Sequence, residues 1–180
     1  MTAAEGAGAP RERWAAAVVA IHWLSAATLA GLAVAGFAMS SAAEGSATRL
    51  LLSRLHTAGG VSLMILTAAR VAARLRGPSP PALPLSARHR RGVEAVHALL
   101  YAAVFGLGAS GLATGLQSDW PRYLRGELTH APALDAMASR ALHESLVFVL
   151  LGLVALHVGG VALHEGRAGG ALRRMLPSPR

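Results

Sequence analysis

Residues 141–164 read ALHESLVFVLLGLVALHVGGVALH, and this stretch decides the class of fold. Residues 145–163 contain no Asp, Glu, Lys or Arg, and a helix of about 20 such residues crosses the roughly 30 Å hydrocarbon core of a bilayer. His143 and His157 lie 14 residues apart in it. On a helix that spacing corresponds to about 21 Å along the axis and about 40° around it, so both imidazoles share one face at two depths.

Three further apolar blocks precede this one along the chain. The predicted helices cover approximately residues 15–39, 53–75, 94–117 and 141–164. A segment in lipid must satisfy its own backbone hydrogen bonds, so each block is expected to be helical. The sequence therefore predicts an all-α membrane protein, a four-transmembrane-helix bundle formed by one domain over residues 1–180.

Composition narrows the functional classes. Charged residues make up 14% of the chain, against about 25% in soluble domains. The net charge is +8, and the arginines lie between the apolar blocks, where membrane proteins carry the charges that set their topology. The expected partner is therefore the lipid bilayer, and nucleic-acid binding is not expected. The absence of Cys excludes disulfides, iron–sulfur ligation and covalently attached c-type haem.

Arginine density also predicts the orientation. The N-terminal residues, the connection between helices 2 and 3 and the C-terminal tail are rich in Arg, so both termini are expected on the cytoplasmic side of the membrane. His22 then lies toward the cytoplasmic side, together with His157. His56 and His143 lie toward the periplasmic side.

Histidines at two depths predict two haem sites. An iron porphyrin in a helix bundle takes axial imidazoles from facing helices. The periplasmic level offers only His56 and His143 within the spans. The cytoplasmic level offers His22 and His157, and the spare histidines there are His97 and His164. We expect two b-type haems, with the pairs His56–His143 and His22–His157 as iron ligands.

Arg70 lies 14 residues after His56, on roughly the same face of helix 2 and about 21 Å deeper. Its guanidinium is therefore a candidate partner for the propionates of the cytoplasmic haem. The alternative is that Arg70 extends to the lipid headgroups.

Short motifs over nearly the whole chain resemble the bacterial cytochrome b561 family. They are IHWL at 21–24, LH at 55–56, ARV at 69–71, HALLY at 97–101, HE at 143–144 and LH at 156–157. The resemblance implies a four-helix inner-membrane bundle with two bis-His haems on the same two pairs. It also implies a superoxide oxidase-like oxidoreductase that passes electrons from superoxide to ubiquinone, with His164 as a candidate quinone contact. The connection between helices 3 and 4 departs from the family pattern.

Three alternatives remain open at this point. The chain could be a related cytochrome b membrane subunit that links a partner dehydrogenase to quinone. It could instead be a non-redox haem- or metal-binding membrane protein, and the cytoplasmic histidines could supply a zinc site. The periplasmic arginines could attract superoxide by their field or be ordinary solvated charges. They are Arg49, Arg54, Arg122, Arg125 and Arg140.

Overall fold

The structure is a computed structural model that describes residues 13–77, 79–81 and 83–176. All regular structure within these ranges is helical. The helices are α1 (Ala16–Ser41), α2 (Ala47–Arg76), α3 (Ala87–Leu116), α4 (Trp120–Arg125) and α5 (Ala138–Arg167), followed by a 3₁₀ helix at Leu172–Met175.

Four of these helices, α1, α2, α3 and α5, are long and apolar enough to cross a membrane, which confirms the predicted class of fold. They extend beyond the ranges predicted from the sequence. α2 begins at residue 47 rather than 53 and α3 at 87 rather than 94, because Ser46 and Ser86 cap the two helices by accepting hydrogen bonds from the amides of Arg49 (3.1 Å) and His89 (3.3 Å). Their first turns carry Arg49 and Arg88, and in the sequence such charges mark a connection rather than a span.

The spans are arranged as two helical hairpins. α1 packs along α2, α3 packs along α5, and the two hairpins meet mainly through α2 and α3. The buried core at this meeting is small and contains Leu63, Ala103, Val104 and Leu150. Gly108 of α3 makes the approach possible, since a Cβ there would overlap the side chain of Met64 on α2. α1 makes little contact with α5.

Large apolar side chains cover the outside of the bundle. Val34 is 70% exposed, Phe148 67% and Ile65 64%. Water would disfavour such a surface, whereas lipid tails cover it without cost. The protein surface is therefore suited to a bilayer.

A short helix, α4, lies in the α3–α5 connection, where the sequence predicted only a polar loop. Arg54 Nε of α2 donates to the Leu124 carbonyl at 2.7 Å, and Trp120 Nε1 donates to Thr57 Oγ1 at 3.1 Å. These bonds hold α4 across one end of the bundle, which we call the α4 end. The opposite end carries the N-terminal residues, the α2–α3 connection and the tail, and we call it the arginine end.

Candidate functional site

His56 of α2 and His143 of α5 face each other toward the α4 end, with ring centroids 6.2 Å apart. His56 Nδ1 lies 3.2 Å from the Leu32 carbonyl of α1, and His143 Nδ1 lies 3.0 Å from the Leu107 carbonyl of α3. A carbonyl only accepts hydrogen bonds, so each Nδ1 carries the proton and each Nε2 keeps a lone pair. Such support of the far ring nitrogen is typical of histidines that ligate a metal.

Glycines complete the support of these two rings. A Cβ on Gly36 of α1 would lie 3.3 Å from His56 Cε1, and a Cβ on Gly111 of α3 would lie 3.3 Å from His143 Cε1. Leu32 and Gly36 are one turn apart, and so are Leu107 and Gly111. Each hairpin thus holds its histidine with the same Leu-x-x-x-Gly pattern, which the sequence analysis missed.

Three imidazoles meet toward the arginine end. His22 of α1 and His157 of α5 have ring centroids 6.4 Å apart, while His97 of α3 lies closer to His157, at 5.0 Å. His97 Nδ1 contacts the Val93 carbonyl of its own helix at 2.7 Å. This layer therefore contains the predicted pair and one of the two spare histidines.

The ring separations distinguish these contacts. A metal–imidazole bond is about 2.0–2.1 Å long, so two imidazoles on opposite sides of one ion have centroids roughly 6 Å apart. The pairs His56–His143 and His22–His157 fit that separation, whereas 5.0 Å for His97–His157 is too short for it. Among the described residues no three His, Cys, Asp or Glu side chains are grouped to hold a metal, so the zinc alternative finds no site there.

Both pairs bridge the two hairpins, because each takes one histidine from the α1–α2 hairpin and the other from α5. They therefore lie where the hairpins separate. A Cβ on Gly59 would lie 3.0 Å from the Leu32 side chain of α1. The close contact between the two helices therefore explains the glycine at this position. A Cβ on Gly60 would meet nothing within 4 Å. The space beside His56 is thus open on this side of α2.

Three buried polar atoms have no hydrogen-bond partner within the described ranges. They are Arg70 Nε, His164 Nε2 and the Tyr123 hydroxyl. A buried donor left unpaired costs about 1–3 kcal/mol, so such atoms fit a protein that holds a polar ligand beside them. The Arg70 guanidinium lies 6.0 Å from the Tyr101 ring, and Arg74 Nη1 donates to the Tyr101 hydroxyl at 3.1 Å.

Tyr123 is the functional candidate that the sequence analysis missed. Its side chain is 1% exposed, and its ring lies 5.5 Å from that of Trp120. Residues 120–123 read WPRY, and a proline in the first turn, here Pro121, is a signal for a helix start. That signal would have predicted α4 and an aromatic pair at this end of the bundle.

The arginines at the α4 end are mostly paired with acids. Arg49 contacts Glu44 at 3.4 Å, and Arg140 contacts Glu144. Glu127 accepts from Arg125 at 2.6 Å and from Arg122 at 3.1 Å, and these hydrogen bonds lower the pKa of Glu127 and raise the pKa of both arginines. Of the five arginines at this end that either attract an anion or are ordinary solvated charges, only Arg54 forms no ion pair in the described part of the chain.

A membrane-spanning bundle whose histidines pair between helices at two depths has the architecture of a b-type cytochrome. The family model described as prokaryotic cytochrome b561 matches residues 13–178. The chain belongs to that family, which confirms the resemblance found in the sequence. It is therefore a multi-pass inner-membrane protein of electron transfer, and its family binds b-type haem. No curated protein is significantly similar to it in sequence.

Proposed function

We propose that the chain binds two b-type haems, one at each histidine pair, and transfers electrons between a periplasmic donor and ubiquinone. The observation that carries this proposal is the pair of ring separations, 6.2 and 6.4 Å, at opposite ends of one continuous helix, α5. A haem held in this way supplies reversible one-electron transfer without a covalent step.

The protein's own residues position and tune each site. The Leu32 and Leu107 carbonyls hold the Nδ1 protons, so the Nε2 lone pairs of His56 and His143 remain available to an iron. His22 and His157 hold the second site. Arg70, whose Nε has no partner among the described residues, is proposed to bind a propionate carboxylate there.

Ubiquinone is proposed to bind at the arginine end, where the chain's termini are expected to face the cytoplasm. His164, in the last turns of α5, has a buried Nε2 without a partner in the described ranges, and an imidazole nitrogen can donate or accept a hydrogen bond. His164 is therefore proposed to donate a hydrogen bond and a proton to a quinone oxygen.

Superoxide is proposed as the donor by likeness to the family. Two superoxide anions would each lose one electron and become dioxygen, while one quinone gains two electrons and two protons. The unneutralised charge of Arg54 at the α4 end supports this donor. The paired state of Arg49, Arg122, Arg125 and Arg140 favours instead the second candidate, a membrane subunit whose α4 end receives a redox partner protein.

Steady superoxide generation in the presence of the purified protein and a water-soluble ubiquinone tests the proposal. We expect quinol formation that superoxide dismutase abolishes. Arg54→Gln should slow it at low salt, and His164→Ala should lower it, whereas the matched exposed variant His89→Ala should leave it unchanged. Absence of quinol formation, together with copurification of a dehydrogenase, would establish the second candidate instead.

A further inference from the structure

The arginine end contains a cavity that the electron-transfer proposal does not use. Its volume is about 350 Å³, and Arg13, Arg173 and Arg174 line it. The remaining wall consists of Pro81, Leu83 and Pro84 from the α2–α3 connection and two glycines of the tail. Among the described residues, the lining thus carries three positive charges and no acid.

The tail that forms one wall is held in place by specific bonds. The Glu165 carboxylate accepts hydrogen bonds from the amides of Gly170 (3.2 Å) and Leu172 (3.0 Å). Gly169 and Gly170 have φ values of 68° and 87°, which glycine adopts without strain, and they turn the chain back over the bundle. The cavity is therefore part of the folded structure.

Further bonds tie the tail to the other walls. Trp23 Nε1 donates to the Met175 carbonyl at 2.6 Å, and the Trp14 amide donates to the Arg174 carbonyl at 3.3 Å. Arg174 Nη1 donates to the Pro81 carbonyl at 2.5 Å. Because three separate parts of the chain are joined here, the arginines are held around one space.

Arg173 and Arg174 keep hydrogen-bonding capacity toward that space. A guanidinium has five N–H donors, of which Arg174 uses one on Pro81. The Arg173 side chain forms no hydrogen bond or ion pair within the described residues. The Glu165 carboxylate nearby is taken up by backbone amides of the tail. Like charges held around one cavity repel each other, and an anion would relieve that repulsion.

We propose that this cavity binds the phosphate of an anionic phospholipid headgroup. Arginine forks match phosphate oxygens in geometry and charge. Trp14 and Trp23 lie at the same end, and tryptophans of membrane helices are concentrated at headgroup level, so the cavity opens where such phosphates are. The leucine and proline wall suits the glycerol portion of a lipid, which inorganic phosphate lacks.

Lipid retention during purification tests this site. The protein is taken from bilayers of phosphatidylglycerol and phosphatidylcholine into detergent, and the phosphatidylglycerol bound per chain is measured by mass spectrometry. An arginine near a membrane surface contributes enough that its loss should reduce retention about fivefold in Arg173→Gln. Arg91→Gln, which removes an exposed arginine of the same end outside the cavity, should retain phosphatidylglycerol like the unchanged protein.

Three results would overturn the proposal. Equal loss in Arg173→Gln and Arg91→Gln would mean that general surface charge binds the lipid. Equal retention of phosphatidylcholine would mean that the anionic headgroup is not recognised. Displacement of the lipid by inorganic phosphate at millimolar concentration would assign the cavity to free phosphate. Arg174 also holds the tail in place. The lipid retention of the double variant Arg173→Gln/Arg174→Gln is therefore compared with that of the unchanged protein only after circular dichroism shows unchanged helix content.

Discussion

The two histidine layers of the bundle are built differently. In the layer at the α4 end, both rings are fixed from behind by carbonyls of a neighbouring helix and by glycines, before any ligand is considered. In the layer at the arginine end, His97 has an Nδ1 contact within its own helix, and neither His22 nor His157 has a ring hydrogen bond in the described structure. The first layer is therefore preorganised by the fold, whereas the second depends more on its ligand.

The largest expected effect is the loss of a haem, and it distinguishes the two layers. His56→Ala should abolish haem binding at the α4 end, because no other imidazole lies near His143, and leave one haem per chain. His22→Ala should likewise remove the haem of the other layer, because the His97 ring, 5.0 Å from that of His157, is too close to act as the opposite ligand. A pyridine haemochrome assay per mole of protein measures both.

His130→Ala serves as the control for these variants, since His130 is an exposed histidine of the α4 end outside the layer. It should keep both haems. Retention of full haem content in His56→Ala would show that the proposed pairing is wrong.

The glycine support predicts the next effect. Gly111→Ala places a methyl group 3.3 Å from two atoms of the His143 ring, which has little room to move, and overpacking of this kind costs about 1–3 kcal/mol. We expect a lower melting temperature and a changed low-spin spectrum of the α4-end haem only.

Gly152→Ala provides the matched substitution on a neighbouring span. Its Cβ would meet nothing within 4 Å, and alanine favours helix over glycine by about 1 kcal/mol. This variant should be as stable as the parent or slightly more so. If both alanine variants behaved alike, the glycine at 111 would have no role in holding the ring.

Tyr123→Phe should give a smaller, ligand-dependent effect. Removal of an unpaired buried hydroxyl should stabilise the haem-free protein by about 1 kcal/mol. Were a bound haem to supply the acceptor that this hydroxyl lacks among the described residues, the same change would remove a hydrogen bond and shift the reduction potential of the α4-end haem, which a redox titration reads. Tyr101→Phe, at the other end, should leave that potential unchanged. An unaltered potential together with equal stability gains in both forms would make Tyr123 a packing residue only.

The exposed ion pairs of the α4 end should have the smallest effect on stability. Hydrogen bonds from Arg125 and Arg122 lower the pKa of Glu127 below its unfolded value, so its contribution to stability is present at neutral pH and disappears as the pH falls through the lowered pKa. Glu127→Gln should therefore lower the melting temperature slightly at pH 7 and not at acidic pH. Glu94→Gln, which removes an exposed acid without an ion pair in the described residues, should leave the melting temperature at pH 7 unchanged. A pH-independent loss would point to packing instead.

The four spans and the two histidine layers could be predicted from the sequence, because charge-free blocks and helical spacing are local properties. The four spans follow from the blocks, and the two depths follow from the 14-residue spacing of His143 and His157 on one helix. The sequence predicts the starts of α2 and α3 later than Ala47 and Ala87, where the structure has them, because polar first turns outside lipid resemble loops.

The support of the rings could not be predicted in the same way. The contact of Leu32 with His56 joins residues of different helices, and it depends on how α1 and α2 pack. The pairing of Arg125 and Arg122 with Glu127 likewise depends on the turn after α4, where Gly126 has a φ of 83°. Such information is absent from hydrophobic periodicity, so the sequence alone does not decide whether the arginines of this end are paired with acids.

The central claim is that imidazoles from different helices form two separate axial-ligand pairs within one bundle. Haem content and the reduced-minus-oxidised spectrum of the purified protein, expressed with ample haem supply, test it most directly. We expect two haems per chain, both low-spin. A colourless protein, or a chain that takes up a single haem at saturation, would contradict this account.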